Sequence, residues 1–231
     1  VPGLTRLRLS SLEPGDCSDA LLEAFTRHPD VLVPHFHLPL QSGADRVLKR
    51  MNRQYRVNDY LDMVERVNNA LTRNDQRPTI STDIICGFPG ETESDFQQTI
   101  DIARQVEFLH MHVFPYSTRP GTAAARWNDI QVPHETRAER VSQLIQLESG
   151  PDGLCARNLN RLILHPLRIL AEQPDPDRPG HWLGRCDRGG RVSVKTPAQR
   201  GEMIRANGQR IEDDVIVAVP NSVSLPMCGV A

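Results

Sequence analysis

The sequence predicts an α/β protein whose parallel strands are followed by a small all-β unit. Three observations lead to this fold class. Strand and helix patterns alternate up to residue 132, only short strand patterns follow residue 161, and 231 residues are enough for two folded units. We therefore expect one unit at 1–150, a junction at 151–160 and a second unit at 161–231.

The first unit contains four segments in which apolar residues alternate with polar ones or form a short apolar run, as is typical of strands. They are 4–12, 33–40, 79–88 and 108–116. Four segments with apolar residues at helical spacing stand between them, at 19–28, 42–53, 57–73 and 93–106. A strand–helix order repeated in this way predicts parallel strands with right-handed crossovers.

The second unit is predicted from short strands separated by glycine, proline and aspartate. A helix at 133–149 and the interruption "GPDG" at 150–153 precede it. The strand candidates are 161–172, 181–187, 191–196 and 214–219. This spacing of short strands and turns is typical of small all-β folds.

Composition excludes several classes of protein. The net charge of −2 gives no general preference for nucleic acid, and no apolar run is long enough to cross a membrane. The five cysteines are Cys17, Cys86, Cys155, Cys186 and Cys228. No C-x-x-C pair occurs, so the chain offers neither a zinc nor an iron–sulfur ligand set. We interpret them as buried thiols of a cytoplasmic protein.

Polar or small residues stand at the carboxyl ends of all four predicted strands of the first unit. They are Ser11 and Glu13, Gln41 and Ser42, Gly87, Gly90 and Glu91, and Tyr116 and Ser117. The carboxyl ends of parallel strands meet at one edge, so these residues predict a site for a small polar molecule. Two plainer alternatives stay open: the glycines only turn the chain, and Glu91 only complements a helix dipole.

The turn "GFPGET" at 87–92 opens a helix, where an anion could bind. It lacks the G-K-[ST] of a phosphate loop, and Glu91 would repel a phosphate. A carboxylate there favours a hydroxyl, an amine or a cationic ligand.

Four histidines occupy alternate positions of two predicted strands, at His35 and His37 and at His110 and His112. They could bind a metal, but no carboxylate pattern beside them completes a site. We interpret them as packing or hydrogen-bonding residues and predict no metal ligand.

Five segments occur in an order that resembles the radical S-adenosylmethionine methylthiotransferases. They are "RLRLSSLEP" (6–14), "PHFHLPLQSGADRVLKRMNRQY" (34–55), "STDIICGFPGETESDFQQT" (81–99), "LHMHVFPYSTRPGTAAA" (109–125) and "QVPHETRAERVSQL" (131–144). Within that family, "HVFPYSTRPGT" is most similar to the branch that acts on threonylcarbamoyladenosine at position 37 of tRNA. The isopentenyladenosine-tRNA branch, which usually has a different strand before "YSPRPGT", ranks second. The ribosomal protein S12 branch, typically "EEGT", ranks third.

The resemblance implies an incomplete TIM-like parallel barrel at 1–150 with adenosylmethionine across its rim. The residues implied to shape this site are Ser11, Glu13, Gln41, Ser42, Arg53, Gly87, Phe88, Gly90, Glu91, Tyr116 and Ser117. A guanidinium grips a carboxylate in a bidentate manner, which suits Arg53 to the methionine carboxylate. A surface position for Arg53 is the alternative.

The resemblance also implies cofactors and partners that the chain alone does not supply. The family uses two 4Fe–4S clusters, a reductant such as flavodoxin or ferredoxin, a sulfur donor and tRNA. The cluster ligands are absent from this sequence, which we therefore interpret as the C-terminal portion of a longer enzyme, inactive alone.

The second unit resembles the small TRAM-like, OB-like barrel that binds tRNA at the end of these enzymes. Its candidate RNA-binding residues are Arg185, Arg188, Arg191 and Lys195. A solvated charged face explains them equally well. Two further alternatives are a non-catalytic RNA-binding relative and an α/β enzyme with another ligand.

Overall fold

The computed structural model describes residues 3–221, and the chain divides into two compact units between Asn158 and Leu159. The α-helices of the described residues are α1 (Asp19–Arg27), α2 (Asp45–Arg50), α3 (Val57–Leu71), α4 (Glu93–Val106), α5 (His134–Glu148) and α6 (Leu154–Ile163). None of the described helices is both long and apolar enough to cross a membrane.

The first unit is built on a three-stranded parallel sheet in the order β1 (His35–His37), β2 (Thr79–Cys86) and β3 (His110–Pro115). Short 3₁₀ turns lie at Pro14–Asp16, Ala124–Arg126 and Asn128–Ile130. The predicted parallel arrangement is present, with β2 in the centre.

The strand predicted for 4–12 is wrong. This segment runs beside β1 and makes only two isolated parallel bridges, Leu7 with Leu32 and Ser10 with His37. Its neighbour β1 has only three residues, so the pairing is too intermittent to form a strand.

One face of the sheet packs against the helices and forms the core. Phe36, Ile84 and Met111, one from each strand, are buried in it together with helix residues such as Tyr60. The Tyr60 hydroxyl donates to the Leu38 carbonyl at 2.8 Å, so its polar atom is satisfied within the core. The opposite face of the sheet carries the polar residues described below.

Helix α4 begins with a capping box formed by Thr92 and Asp95. The Thr92 hydroxyl accepts from the Asp95 N–H at 3.3 Å, and the Asp95 carboxylate accepts from the Thr92 N–H at 2.7 Å. These bonds fix where the helix starts, directly after the turn at 87–91.

The second unit contains a closed five-stranded barrel in the order β4-β5-β6-β8-β7. Its strands are β4 (Pro166–Pro174), β5 (His181–Cys186), β6 (Arg191–Lys195), β7 (Met203–Glu212) and β8 (Val215–Pro220). An all-β unit was the expectation. Closure removes the exposed edges that a small open sheet would have.

The predictions for this unit differ from the structure at two places. Residues 161–163 form the end of α6, whereas they were predicted to start a strand, and strand β7 was not predicted at all. Gly208 suggests a turn in the sequence, but it lies inside β7. A Cβ there would meet the Ile163 side chain, so glycine is needed for close packing.

Candidate cofactor site at the strand ends

The turn after β2 needs glycine at two positions. Gly87 and Gly90 have φ angles of 72° and 76°, which only glycine adopts readily. A Cβ on Gly87 would collide with the Arg137 side chain, and one on Gly90 with Arg50. In this structure the glycines therefore make room for arginines of the chain itself.

The buried carboxylate of Glu91 stabilises this turn. It accepts from the Gly87 N–H at 2.6 Å and pairs with Arg140 at 2.7 Å. The two side chains of this pair are only 2% and 5% exposed. Burial raises the pKa of the Glu91 carboxyl, although the Gly87 N–H and Arg140 act against that shift. Glu91 thus faces the protein interior, and the preference for a cationic ligand that its charge predicts is met by Arg140.

Four arginines surround the turn, a feature that the sequence analysis missed. Arg46 donates to the Gly90 carbonyl at 2.8 Å and Arg50 to the Pro89 carbonyl at 3.2 Å. Arg137 donates to the Tyr116 carbonyl, and Arg140 completes the group. Their spacing in the sequence could have indicated this group, because residues 46 and 50 share one face of α2 and residues 137 and 140 share one face of α5.

An aromatic cluster borders the turn. The Phe88 ring packs edge-on against Tyr116 at 5.3 Å and Trp127 at 6.1 Å between centroids. The Tyr116 hydroxyl is buried and has no hydrogen-bond partner among residues 3–221. Ser117, the next residue, is exposed. An unsatisfied hydroxyl at this edge marks a place where a polar ligand would be stabilised.

Gln41 and Ser42 lie at the same edge. The Gln41 N–H donates to the Asp83 carbonyl at 2.8 Å, and its carbonyl accepts from the Ile85 N–H at 3.0 Å. Gln41 takes a left-handed φ of 62°, which is uncommon for a residue other than glycine. Ser42 is buried, and its hydroxyl accepts from the Ala44 N–H at 3.3 Å.

Arg53 and Glu13 are brought together and pair with each other at 2.7 Å. The neighbouring Tyr55 hydroxyl donates to the Pro39 carbonyl at 2.9 Å, and burial raises the pKa of Tyr55 to about 12. This contact ties the Arg53 segment to the chain just before Gln41. Ser11 is exposed and lies beside the Ser10 bridge to β1.

The cysteines that the structure describes do not fit an iron–sulfur cluster. Within the described part of the chain, the cysteines are Cys17, Cys86, Cys155 and Cys186, and none of them belongs to a group that could hold a metal. Burial raises the pKa of Cys86 to about 12, which disfavours the thiolate that a cluster needs. Cys228 lies outside the described residues.

The polar face of the sheet brings together residues that the sequence separates. Asp83 of β2 lies between His37 of β1 and His112 of β3, at 3.2 and 3.1 Å. The sequence analysis missed this carboxylate. The signal that could have found it is spacing: Ser81 and Asp83 are two residues apart in a predicted strand, so their side chains lie on the same face.

The basic residues predicted on the barrel divide into two groups. Arg185 lies directly opposite Arg191 across β5 and β6, and Lys195 follows at the end of β6, all three exposed. Arg188 is half-buried, and burial lowers its pKa. The exposed face therefore comprises Arg185, Arg191 and Lys195.

Comparison with known proteins identifies the family. A family model described as the radical SAM superfamily matches residues 5–103. The tRNA-2-methylthio-N(6)-dimethylallyladenosine synthase of Nocardia farcinica is 47% identical over 221 residues, covering 96% of this chain and 42% of that protein. The chain belongs to the radical S-adenosylmethionine methylthiotransferase family. The resemblance stated from the motifs is confirmed.

Two other relatives of the family support the same assignment. The threonylcarbamoyladenosine tRNA methylthiotransferase MtaB of Thermotoga maritima is 42% identical over 172 residues, 74% of this chain and 38% of that protein. The tRNA-2-methylthio-N(6)-dimethylallyladenosine synthase of Acidothermus cellulolyticus is 37% identical over 232 residues, 100% of this chain and 43% of that protein. The chain spans about two fifths of the length of these relatives.

A solved structure of Escherichia coli coproporphyrinogen III oxidase, HemN, is a more distant likeness. It has a TM-score of 0.47 and 16% identity, and covers 88% of this chain and 46% of that chain.

The family uses S-adenosylmethionine and 4Fe–4S clusters. The strand ends suit the first of these: besides the Tyr116 hydroxyl, the Nε of Arg137 is buried there without a hydrogen-bond partner among residues 3–221. A polar ligand with both donors and acceptors would satisfy these atoms. The described cysteines provide no ligand set for the clusters.

Proposed function

We propose that the protein transfers a methylthio group to C2 of an N6-modified adenosine at position 37 of tRNA. The observation that carries this proposal is the 47% identity to a tRNA methylthio-adenosine synthase over 96% of the chain. The polar edge formed by three parallel strand ends is consistent with it. We place the reaction in the cytoplasm.

The N6-substituent of the adenosine has two candidates. We favour dimethylallyl, because the relatives that match 96% and 100% of the chain carry that name. This reverses the order expected from the motifs alone. Threonylcarbamoyl is the second candidate, because the Thermotoga maritima relative is 42% identical and carries that name. Methylthiolation of ribosomal protein S12, a different substrate, ranks third among the candidate reactions.

The residues at the strand ends would hold adenosylmethionine. When bound, this cofactor supplies radical chemistry, while the protein supplies placement. Tyr116 would bond a polar group of the nucleoside, and Gln41 and Ser42 would line the same edge. Arg53 would bind the methionine carboxylate by exchanging it for the Glu13 carboxylate. Ser11, Gly87, Phe88, Gly90 and Ser117 would shape the edge.

Glu91 would act as a positioning residue rather than as a ligand. Its carboxylate already binds the Gly87 N–H and Arg140. The Phe88 and Trp127 rings would keep water from the inner side of the turn. The described residues do not supply the cluster ligands. A reductant such as flavodoxin or ferredoxin and a sulfur donor would be separate partners.

The second unit would act as a TRAM-like RNA-binding module. Like charges directly opposite each other across two strands are destabilising, and Arg185 faces Arg191 in this way. Glu172, 3.9 Å from Arg185, offsets part of this repulsion, and a phosphate between the two arginines would offset the rest. Lys195 would extend the contact, while the half-buried Arg188 would support the hairpin.

The test is mass spectrometry of tRNA nucleosides from a strain lacking the gene. We expect the 2-methylthio form of dimethylallyladenosine to disappear and its precursor to accumulate, with recovery when the complete gene is returned. Loss of the 2-methylthio form of threonylcarbamoyladenosine instead would select the second candidate. Unchanged methylthio nucleosides would overturn the proposal.

A further inference from the structure

The sheet carries a compact group of possible metal ligands on its polar face. His37, Asp83 and His112 each offer one ligand atom, and these atoms all lie within 4.8 Å of one another. We propose that these three residues bind a divalent transition-metal ion such as Zn²⁺. The proposal is independent of the methylthio-transfer reaction.

The register of the parallel strands creates this group. Asp83 is the direct neighbour of His112, and His37 is the direct neighbour of Ser81 two residues before Asp83. Alternate residues of a strand point to one face, so all four side chains share it. Three strands that are hydrogen-bonded to one another hold the ligands more rigidly than loops would.

The distances suit a bound ion. Asp83 faces both imidazoles, with Oδ2 at 3.2 Å from His37 Nε2 and Oδ1 at 3.1 Å from His112 Nδ1. Metal–ligand bonds of about 2.0–2.2 Å place two ligand atoms of a tetrahedral site about 3.3 Å apart. The two distances from Asp83 to the histidines match this spacing, and all three ligand atoms lie within 4.8 Å of one another.

A supporting contact orients His37. Its other ring nitrogen, Nδ1, lies 3.1 Å from the Ser81 hydroxyl, which leaves Nε2 facing Asp83. Metal-binding histidines typically have such a partner on the second nitrogen. The same strands therefore supply both the ligands and the group that orients one of them.

The ligand types and their exposure define the class of ion. Two imidazoles and one carboxylate favour Zn²⁺ and neighbouring first-row ions over Mg²⁺ or Ca²⁺, which prefer oxygen. The side chains of His37, Asp83 and His112 are 12%, 27% and 46% exposed, so one side of the group is open to water. Three protein ligands and an open position are typical of zinc sites that bind water or substrate.

The experiment is a Co²⁺ titration of the purified full chain, freed of metal with a chelator, followed by displacement with Zn²⁺. We expect one Co²⁺ per chain with the visible spectrum of nitrogen and oxygen ligation. The near-ultraviolet thiolate band that cysteine ligation would produce should be missing. Asp83→Asn and His112→Gln should each weaken binding at least about 100-fold, and Ser81→Ala about 10- to 100-fold.

His110→Gln is the matched control. His110 lies on the same strand and face as His112 and packs edge-on against its ring at 4.6 Å between centroids, but the Nδ1 of His110 contacts Glu148 at 2.6 Å rather than Asp83. We expect this variant to keep wild-type affinity. His112→Gln changes a half-exposed side chain, so it remains informative if Asp83→Asn does not fold, which circular dichroism would show.

Three results would overturn the proposal: no Co²⁺ or Zn²⁺ bound at millimolar concentration, a thiolate spectrum, or unchanged affinity in His112→Gln. The first would leave the group as a hydrogen-bonded His–Asp–His arrangement. None of these results bears on methylthio transfer, which the tRNA measurement tests separately.

Discussion

Replacing Arg140 with methionine should destabilise the first unit strongly, because it leaves a buried carboxylate without its cation. Glu91 and Arg140 are in contact at 2.7 Å and almost fully buried. Two charges about 4 Å apart attract each other by about 4 kcal/mol at an effective dielectric constant of about 20. Removing one partner of a buried pair typically costs about 3–5 kcal/mol. We expect Arg140→Met to lower the free energy of unfolding by that amount at about pH 8.

The loss should depend on pH in a defined direction. Burial raises the folded-state pKa of Glu91 above its unfolded value, and removing Arg140 raises it further. A carboxyl of this kind favours folding at low pH, and that contribution is lost as the pH rises through the folded pKa. The loss in the free energy of unfolding caused by Arg140→Met should therefore be smaller at about pH 5 than at about pH 8.

The assay is urea unfolding followed by Trp127 fluorescence in a Trp182→Phe background, since the two tryptophans lie in different units. Glu93→Gln is the matched control: Glu93 contacts the same arginine at 3.1 Å, but its side chain is 74% exposed. Its loss should cost less than about 1 kcal/mol. Equal effects of the two variants, or a deficit that grows in acid, would refute the reasoning.

Three further predictions concern single side chains. Tyr55→Phe removes a buried hydroxyl that bonds two backbone carbonyls, and should cost about 1 kcal/mol in urea unfolding; no loss would contradict it. Burial raises the pKa of Asp175, but a serine hydroxyl, a backbone N–H and Arg178 more than offset this and lower it. The stabilisation from the Asp175 carboxylate is therefore present above its ordinary pKa of 3.8 and is lost as the pH falls through the folded-state pKa. The destabilisation caused by Asp175→Asn should accordingly become smaller in acid-unfolding curves. A difference in the free energy of unfolding that stays constant with pH would argue against this reasoning. Gly184→Ala places a methyl on a β4 carbonyl and should cost about 1–3 kcal/mol in thermal unfolding, whereas Gly15→Ala meets no atom within 4 Å and should be nearly neutral; equal melting temperatures would be inconsistent with the close β4–β5 approach.

The parallel sheet and most helices could be predicted because their apolar periodicity reflects which face is buried. The segment 4–12 has a strand-like pattern, yet it forms only isolated bridges because β1 offers three residues to pair with. Strand β7 was not predicted, and it contains Gly208, a glycine that allows close packing against Ile163 rather than a turn. Periodicity reports burial, whereas pairing depends on neighbours distant in the chain.

The candidate site was predicted in outline but not in its contacts. The strand-end rule places Gln41, Gly87 and Tyr116 at one edge, and the structure brings them there. The partner of Glu91 could not be predicted, because Arg140 lies 49 residues further along the chain. Asp83 was missed for the same reason, since it meets the histidines only through strand register.

The central claim is that the strand ends of the first unit hold adenosylmethionine. The most direct measurement is NMR of the ¹⁵N-labelled chain titrated with adenosylmethionine, assigned by residue. We expect amide shifts at Gln41, at 87–91 and at Tyr116, with none in the barrel at 166–220, and about tenfold weaker binding by Tyr116→Phe. Shifts confined to the barrel, or no shifts at the strand ends at millimolar cofactor, would contradict the claim.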